Sequence, residues 1–214
     1  MCVYAVPPLA RGLESAAVVA PEGATPLECK RSTLSVRRRR LSVRVGEDAT
    51  VSGILEEGEA RAPAGSALLL QRREGRVWRT LAHASTTANG RFSLSYRTWR
   101  TGTARVRVRF PGDASAAPSA RIAGEIQAFR PAEASWYGGA GTLACGGELT
   151  SSTLGVANKT LPCGTLVTLR YEGRTIRVPV VDRGPYVEGR EFDLTEATKN
   201  DLGFGGVGEV WTTS

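Results

Sequence analysis

The chain has 214 residues, a formal net charge of +7, 41% hydrophobic and 23% charged residues. That length accommodates one large domain or two small ones, each with its own core. No stretch approaches the roughly 18 consecutive apolar residues of a membrane-spanning helix, so a chain without a membrane span is expected. Residues 1–130 hold 21 Lys and Arg against 11 Asp and Glu, a net of +10, whereas residues 131–214 hold 7 against 10, a net of −3. This asymmetry predicts a domain boundary and gives the front half an affinity for anionic partners: nucleic acid, a membrane surface or an anionic wall polymer. The competing reading is a solvated arginine-rich surface.

Residues 1–31 carry no basic leader segment, and their longest apolar run, Ala16–Ala20, is too short for a signal-peptide core. They are expected to be disordered, with the export route not visible in them. From Ser32 to Arg130 the pattern is all β. Phe92, Leu94 and Tyr96 alternate with polar residues, and Val106, Val108 and Phe110 alternate with Arg105, Arg107 and Arg109. Glu74-Gly75 is expected to turn Leu68–Arg72 back into Val77–Ala82. Asn89-Gly90 is expected to form a hairpin between His83–Thr87 and Arg91–Tyr96, because both residues tolerate positive φ. Pro111-Gly112-Asp113 should end the next strand. About seven short strands at this spacing predict an immunoglobulin-like β-sandwich over residues 32–130.

At Phe129–Ala134 the strand pattern, charge sign and glycine content all change, which sets the expected boundary of a second domain, 131–214. Two β runs, Leu166–Tyr171 and Thr175–Val181, are joined by Glu172-Gly173. A short helix is expected at Glu196–Leu202, capped by Thr195 and Gly203. Cys145 and Cys163 lie in one glycine-rich segment, outside any Cys-x-x-Cys unit and far from His83, the only histidine. No metal and no cofactor are therefore expected; the pair is read as a disulfide, with two buried thiols as the alternative. Such a disulfide implies an oxidising compartment.

Three ordered stretches of this half resemble the rare lipoprotein A family. They are Ala134-Ser135-Trp136-Tyr137-Gly138, then Leu154 through Thr165, which contains Asn158-Lys159-Thr160-Leu161-Pro162-Cys163-Gly164, and finally Val181-Asp182-Arg183-Gly184-Pro185-Tyr186 with Phe192-Asp193-Leu194. The resemblance implies a six-stranded double-psi β-barrel that acts on peptidoglycan glycan strands. In active members the action is lytic: a carboxylic acid protonates the glycosidic oxygen and then accepts the proton of the sugar's own 6-hydroxyl, leaving an anhydro sugar. Asp193 matches the acid position of related transglycosylases and expansins, and Phe192 and Leu194 are expected to desolvate it. Asp182 matches the second acidic position. Arg183 and Arg190 are expected to pair with these carboxylates.

The chain also departs from the family. The family's usual glutamate falls on Gly147, its aspartate on Thr150 and its histidine on Asn158, with Glu148 one residue away as a replacement. Tyr186, Asn158 and Glu148 are the expected substrate-binding residues; Trp136, Tyr137 and Trp211 are further aromatic faces, more often found in cores or at barrel rims. The competing reading of the aspartates is that both cap turns at strand ends. The expected protein is therefore a secreted or wall-associated peptidoglycan lytic transglycosylase, with a non-catalytic, expansin-like glycan binder as the alternative. Its partners would be glycan strands and, through the basic half, anionic wall polymers, without nucleic acid.

Overall fold

A computed structural model of the chain describes residues 29–214. Contacts divide them into two units. One comprises the described residues up to Arg40 with Thr50–Tyr96 and Arg105–Gly124; the other comprises Leu41–Ala49, Arg97–Ala104 and Glu125–Ser214. The long strand Ser119–Tyr137 contributes to both, and Phe129–Ala134 lies inside it. The fold is all-β, with one short helix. No helix among the described residues is long and apolar enough to cross a membrane. The disorder expected for the N-terminal segment falls, up to residue 28, outside the described residues. Lys30 bridges to Ala116.

In the first unit, Asp48–Glu57 pairs with Ser32–Arg40, Ala60–Arg61 and Arg91–Arg97 in one sheet. Ala67–Glu74 pairs with Val77–Ser85 and with Gly102–Phe110 in another. Alternation of side chains across each strand gives each sheet a buried face. Leu34, Val51, Leu55, Phe92 and Leu94 supply it in the first sheet, and Leu68, Leu70, Val106, Val108 and Phe110 in the second. The Glu74-Gly75 turn forms as expected, with Glu74 opposite Val77. The Asn89-Gly90 hairpin does not form. Both residues do adopt positive φ, 62° and 65°. However, the strand before them, Val77–Ser85, belongs to one sheet and the strand after them, Arg91–Arg97, to the other. The local turn chemistry was read correctly, but burial of Phe92 and Leu94 sends the second strand to a different partner.

The second unit closes on itself. Ala134–Tyr137 of the long strand runs parallel to Phe192–Thr195. That strand is antiparallel to Val156–Ala157, which is parallel to Arg174–Asp182. Leu166–Tyr171 follows antiparallel, then Gly208–Thr212, which returns to the long strand at Arg130–Ala134. Six strands thus form a ring with no free edge. Its interior is a buried apolar cluster that includes Val167, Leu169, Val178, Val180, Phe192 and Leu194. The Glu172-Gly173 turn has φ of 45° and 85°, the values of a two-residue hairpin loop. The helix is Glu196–Leu202, with the Thr195 hydroxyl accepting from the Thr198 N–H and Gly203 in the left-handed conformation after it.

Gly155 explains how the helix end meets the ring. Its N–H donates to Thr198 Oγ1 at 2.8 Å, and its carbonyl accepts from Thr195 Oγ1 at 3.1 Å. A side chain there would start 2.4 Å from Val181 Cγ2, so only glycine admits this approach.

Candidate active site

Asp193 sits between Phe192 and Leu194, which both point into the barrel core. Strand alternation therefore turns its carboxyl to the opposite face. Phe192 and Leu194 cannot cover it from there, contrary to the expectation that they desolvate it. Its surroundings come from neighbouring segments. Ser135, opposite Asp193 in the parallel pairing, donates its hydroxyl to Asp193 Oδ1 at 2.7 Å. Burial pushes the Asp193 carboxyl above the ordinary carboxylate range. The Ser135 hydrogen bond and the Arg190 charge pull it down, and the charge of Asp182 pushes it up again.

Asp182 ends the strand Arg174–Asp182. Its Oδ1 accepts two backbone N–H groups, from Ala144 at 2.9 Å and from Arg183 at 2.8 Å. Ala144 belongs to a tight loop in which the Leu143 N–H donates to the Gly147 carbonyl and the Cys145 N–H to the Val181 carbonyl. The disulfide Cys145–Cys163, with Cα atoms 5.5 Å apart, fastens the same loop, as read from the sequence.

Tyr137 completes the group, with a role beyond the aromatic face expected of it. It lies two residues beyond Ser135 on the same strand and so on the same face as Asp193. Burial raises its phenol strongly, helped first by Asp182 and then by Asp193, so the hydroxyl stays protonated. That hydroxyl is buried, lies against Asp182, and makes no hydrogen bond of ordinary geometry. The phenol is thus a protonated donor held beside both carboxylates, with Asp182 as its nearest acceptor. The sequence signal was the spacing Ser135-x-Tyr137, which on a strand places both side chains on one face.

The other expected residues are distributed differently. Asn158 is buried and its side chain is largely engaged within the protein: Oδ1 accepts from the Thr160 and Leu161 N–H groups and Nδ2 donates one N–H to the Glu191 carbonyl. It therefore organises the turn before Cys163. Arg183 does not pair with the carboxylates. Its Nη1 donates to the Asn158 and Leu161 carbonyls at 3.0 and 2.8 Å, because the orphan carbonyls of that turn lie nearer. Glu148 lies exposed on a two-stranded ribbon, accepting from the Thr142 hydroxyl at 3.0 Å. Tyr186 is 82% exposed just after the Gly184–Pro185 bond, which is cis. Trp136 is partly exposed, with Lys199 Nζ 4.3 Å from its ring centre, and Trp211 is covered by Arg44 at 4.0 Å. A cleft of about 460 Å³ is lined by Asn158, Lys159, Thr160, Arg190 and Glu191 among others, and neither aspartate nor Tyr137 lines it.

The arrangement offers a half-buried carboxyl with raised proton affinity, a second carboxylate fixed by backbone donors, and a neutral phenol. Such a set can donate and retrieve one proton at a single centre.

Comparison with known proteins places this half. The family described as lytic transglycolase matches residues 131–211. Over 75 residues the chain is 43% identical to the probable endolytic peptidoglycan transglycosylase RlpA of Aquifex aeolicus, covering 33% of either protein. Over 95 residues it is 36% identical to the protein of the same name from Synechocystis, covering 41% of this chain and 30% of that one. The chain thus spans about a third of the length of these relatives. Among solved structures, the Streptomyces papain inhibitor is 30% identical, covering 40% of this chain and 92% of that chain with a TM-score of 0.34. The ring of six strands, the ordered motifs, the family match and the two RlpA relatives together show that residues 131–211 form an RlpA-like double-psi β-barrel domain.

Proposed function

We propose that the barrel is a peptidoglycan lytic transglycosylase working at the cell wall, with Asp193 as its acid and base. The observation that carries this reading is the Asp193 carboxyl itself: half-buried, raised in pKa, and next to the fixed carboxylate of Asp182. Protonated Asp193 gives its proton to the glycosidic oxygen as the anomeric carbon–oxygen bond breaks. Asp182 stabilises the positive charge that develops on the sugar. The substrate's 6-hydroxyl oxygen then bonds to the anomeric carbon and returns its proton to Asp193, so no water is consumed. Tyr137 fits as the donor that holds a sugar oxygen beside both carboxylates. In this reading residues 32–130 form an immunoglobulin-like domain that holds the barrel to the wall through anionic polymers.

A second reading, an expansin-like glycan binder without cleavage, draws support from Asn158 and Glu148. The first has its side chain committed to a turn, and the second stands exposed on a ribbon. Digestion of purified peptidoglycan with mass spectrometry of the soluble products separates the two. The expected products end in anhydro-muramic acid. Asp193→Asn should lower their release by about 10²-fold or more with wall binding retained, and Asp182→Asn should lower it less. Wall binding without any soluble product would favour the binder.

A further inference from the structure

In the first unit, three arginines converge on one face of the sheet formed by Ala67–Glu74, Val77–Ser85 and Gly102–Phe110. Arg73 lies opposite Trp78, and Arg107 opposite Gln71. The Arg107 guanidinium lies 4.3 Å, and that of Arg73 5.4 Å, from the centre of the Trp78 ring. Arg109 and Arg73 are close enough to Arg107 that their charges, after burial, lower its proton affinity. Like charges brought together in this way repel, and the carboxylate of the adjacent Glu74 is already engaged with Arg72 and Arg79.

The two guanidiniums over Trp78 are also held in place. Arg107 Nε donates to Gln71 Oε1 at 2.9 Å, and Arg73 Nε donates to the Gly75 carbonyl at 2.6 Å. Gln71, only 5% exposed although it shares this face, is fixed in turn by donating to the Thr80 hydroxyl at 3.2 Å. Each Nε is thus used to orient its side chain. Among the described residues, the terminal nitrogens of Arg73 and Arg107 have no hydrogen-bond acceptor. A planar fork with two free N–H pairs matches the paired oxygens of a tetrahedral phosphate, and holding it in advance lowers the ordering cost of binding.

We infer that Arg73 and Arg107, ordered over Trp78 by the Gly75 carbonyl and Gln71, form together with the neighbouring Arg109 a binding site for a phosphodiester polymer. That the polymer is one carried by the cell wall rests on the proposed function; the phosphate chemistry does not.

The test uses the full chain and two probes. Inorganic polyphosphate, titrated while Trp fluorescence is followed, should bind with an affinity that falls with salt. Arg73→Gln/Arg107→Gln should weaken it at least about tenfold and flatten the salt dependence. Arg73→Lys/Arg107→Lys keeps both charges but not the forks, and should also bind more weakly. Unchanged affinity in both variants overturns the site; tighter, arginine-dependent binding to single-stranded DNA than to polyphosphate of equal charge would sustain a phosphodiester site and remove the wall reading. Purified walls, intact or stripped of phosphodiesters by hydrogen fluoride, form the second arm. Sedimentation with intact walls that is lost on stripping supports the assignment. Arginine-dependent polyphosphate binding with no attachment to either wall would sustain the site and remove the wall reading. Equal attachment of wild type and glutamine variant to both walls would remove the site and leave the wall reading intact.

Discussion

At the scale of single residues, the site is costly to keep. Asp193 has a folded-state pKa above that of the unfolded chain, because burial outweighs the Ser135 bond and the Arg190 charge. The folded state therefore holds this proton more tightly than the unfolded one. The stabilisation that results is complete below the unfolded pKa and is lost as pH rises through the raised folded pKa. Asp193→Asn keeps an acceptor for Ser135 and has no charge to desolvate. The variant should melt at a higher temperature than wild type at neutral pH, and the difference should shrink as pH is lowered through the carboxylate range. Thermal melts at a series of pH values check this; a pH-independent difference would contradict the burial of the carboxyl. The buried phenol of Tyr137, short of a well-formed hydrogen bond, fits the same pattern, in which stability is given up where the proposed chemistry sits.

At the scale of elements, what was legible in the sequence was local chemistry. The Glu172-Gly173 hairpin, the helix Glu196–Leu202 with its Thr195 and Gly203 caps, and the Glu74-Gly75 turn all depend on a few adjacent residues, and all were readable. Asn89-Gly90 shows where that reading stops. Its positive φ values were foreseeable, but the destination of the next strand depends on which buried face Phe92 and Leu94 join. Asn158 shows the same limit at the site: its place in a family motif suggested substrate contact, whereas the open N–H groups of Thr160 and Leu161 claim its side chain. Gly155 is a further long-range constraint, since nothing near it in sequence announces Val181 as its neighbour. Gly155→Ala should destabilise the barrel by about 1–3 kcal/mol through overpacking. Chemical denaturation of the variant measures it, and a loss well below that range would mean that Val181 can shift aside.

At the scale of the molecule, oxidation and stability are linked through one loop. Cys145–Cys163 spans 18 residues and fastens the segment whose Ala144 N–H holds Asp182. Replacing both cysteines with serine should cost about 3 kcal/mol by loop-closure entropy. Under the proposed lytic function it should also lower the rate of glycan release at temperatures where the protein remains folded, because Asp182 loses a fixed donor. Denaturation and peptidoglycan digestion of the double variant test both effects; an unchanged rate would show that Ala144 keeps its place without the bridge.

The closed ring has a consequence for how the domain comes into being. The strand that opens it, around Ser135, finds its parallel partner at Asp193, 58 residues later, and Gly208–Thr212 then fills the place between Leu166–Tyr171 and the long strand. Pairings so remote in sequence make folding slow, since the loop must be closed before any contact rewards it. A nascent chain emerging in order cannot complete the ring until residue 212 is available. Until then two strands present unpaired backbone edges to any neighbouring chain. A protein cut short before Gly208 would thus be an aggregation hazard, and not merely an incomplete barrel.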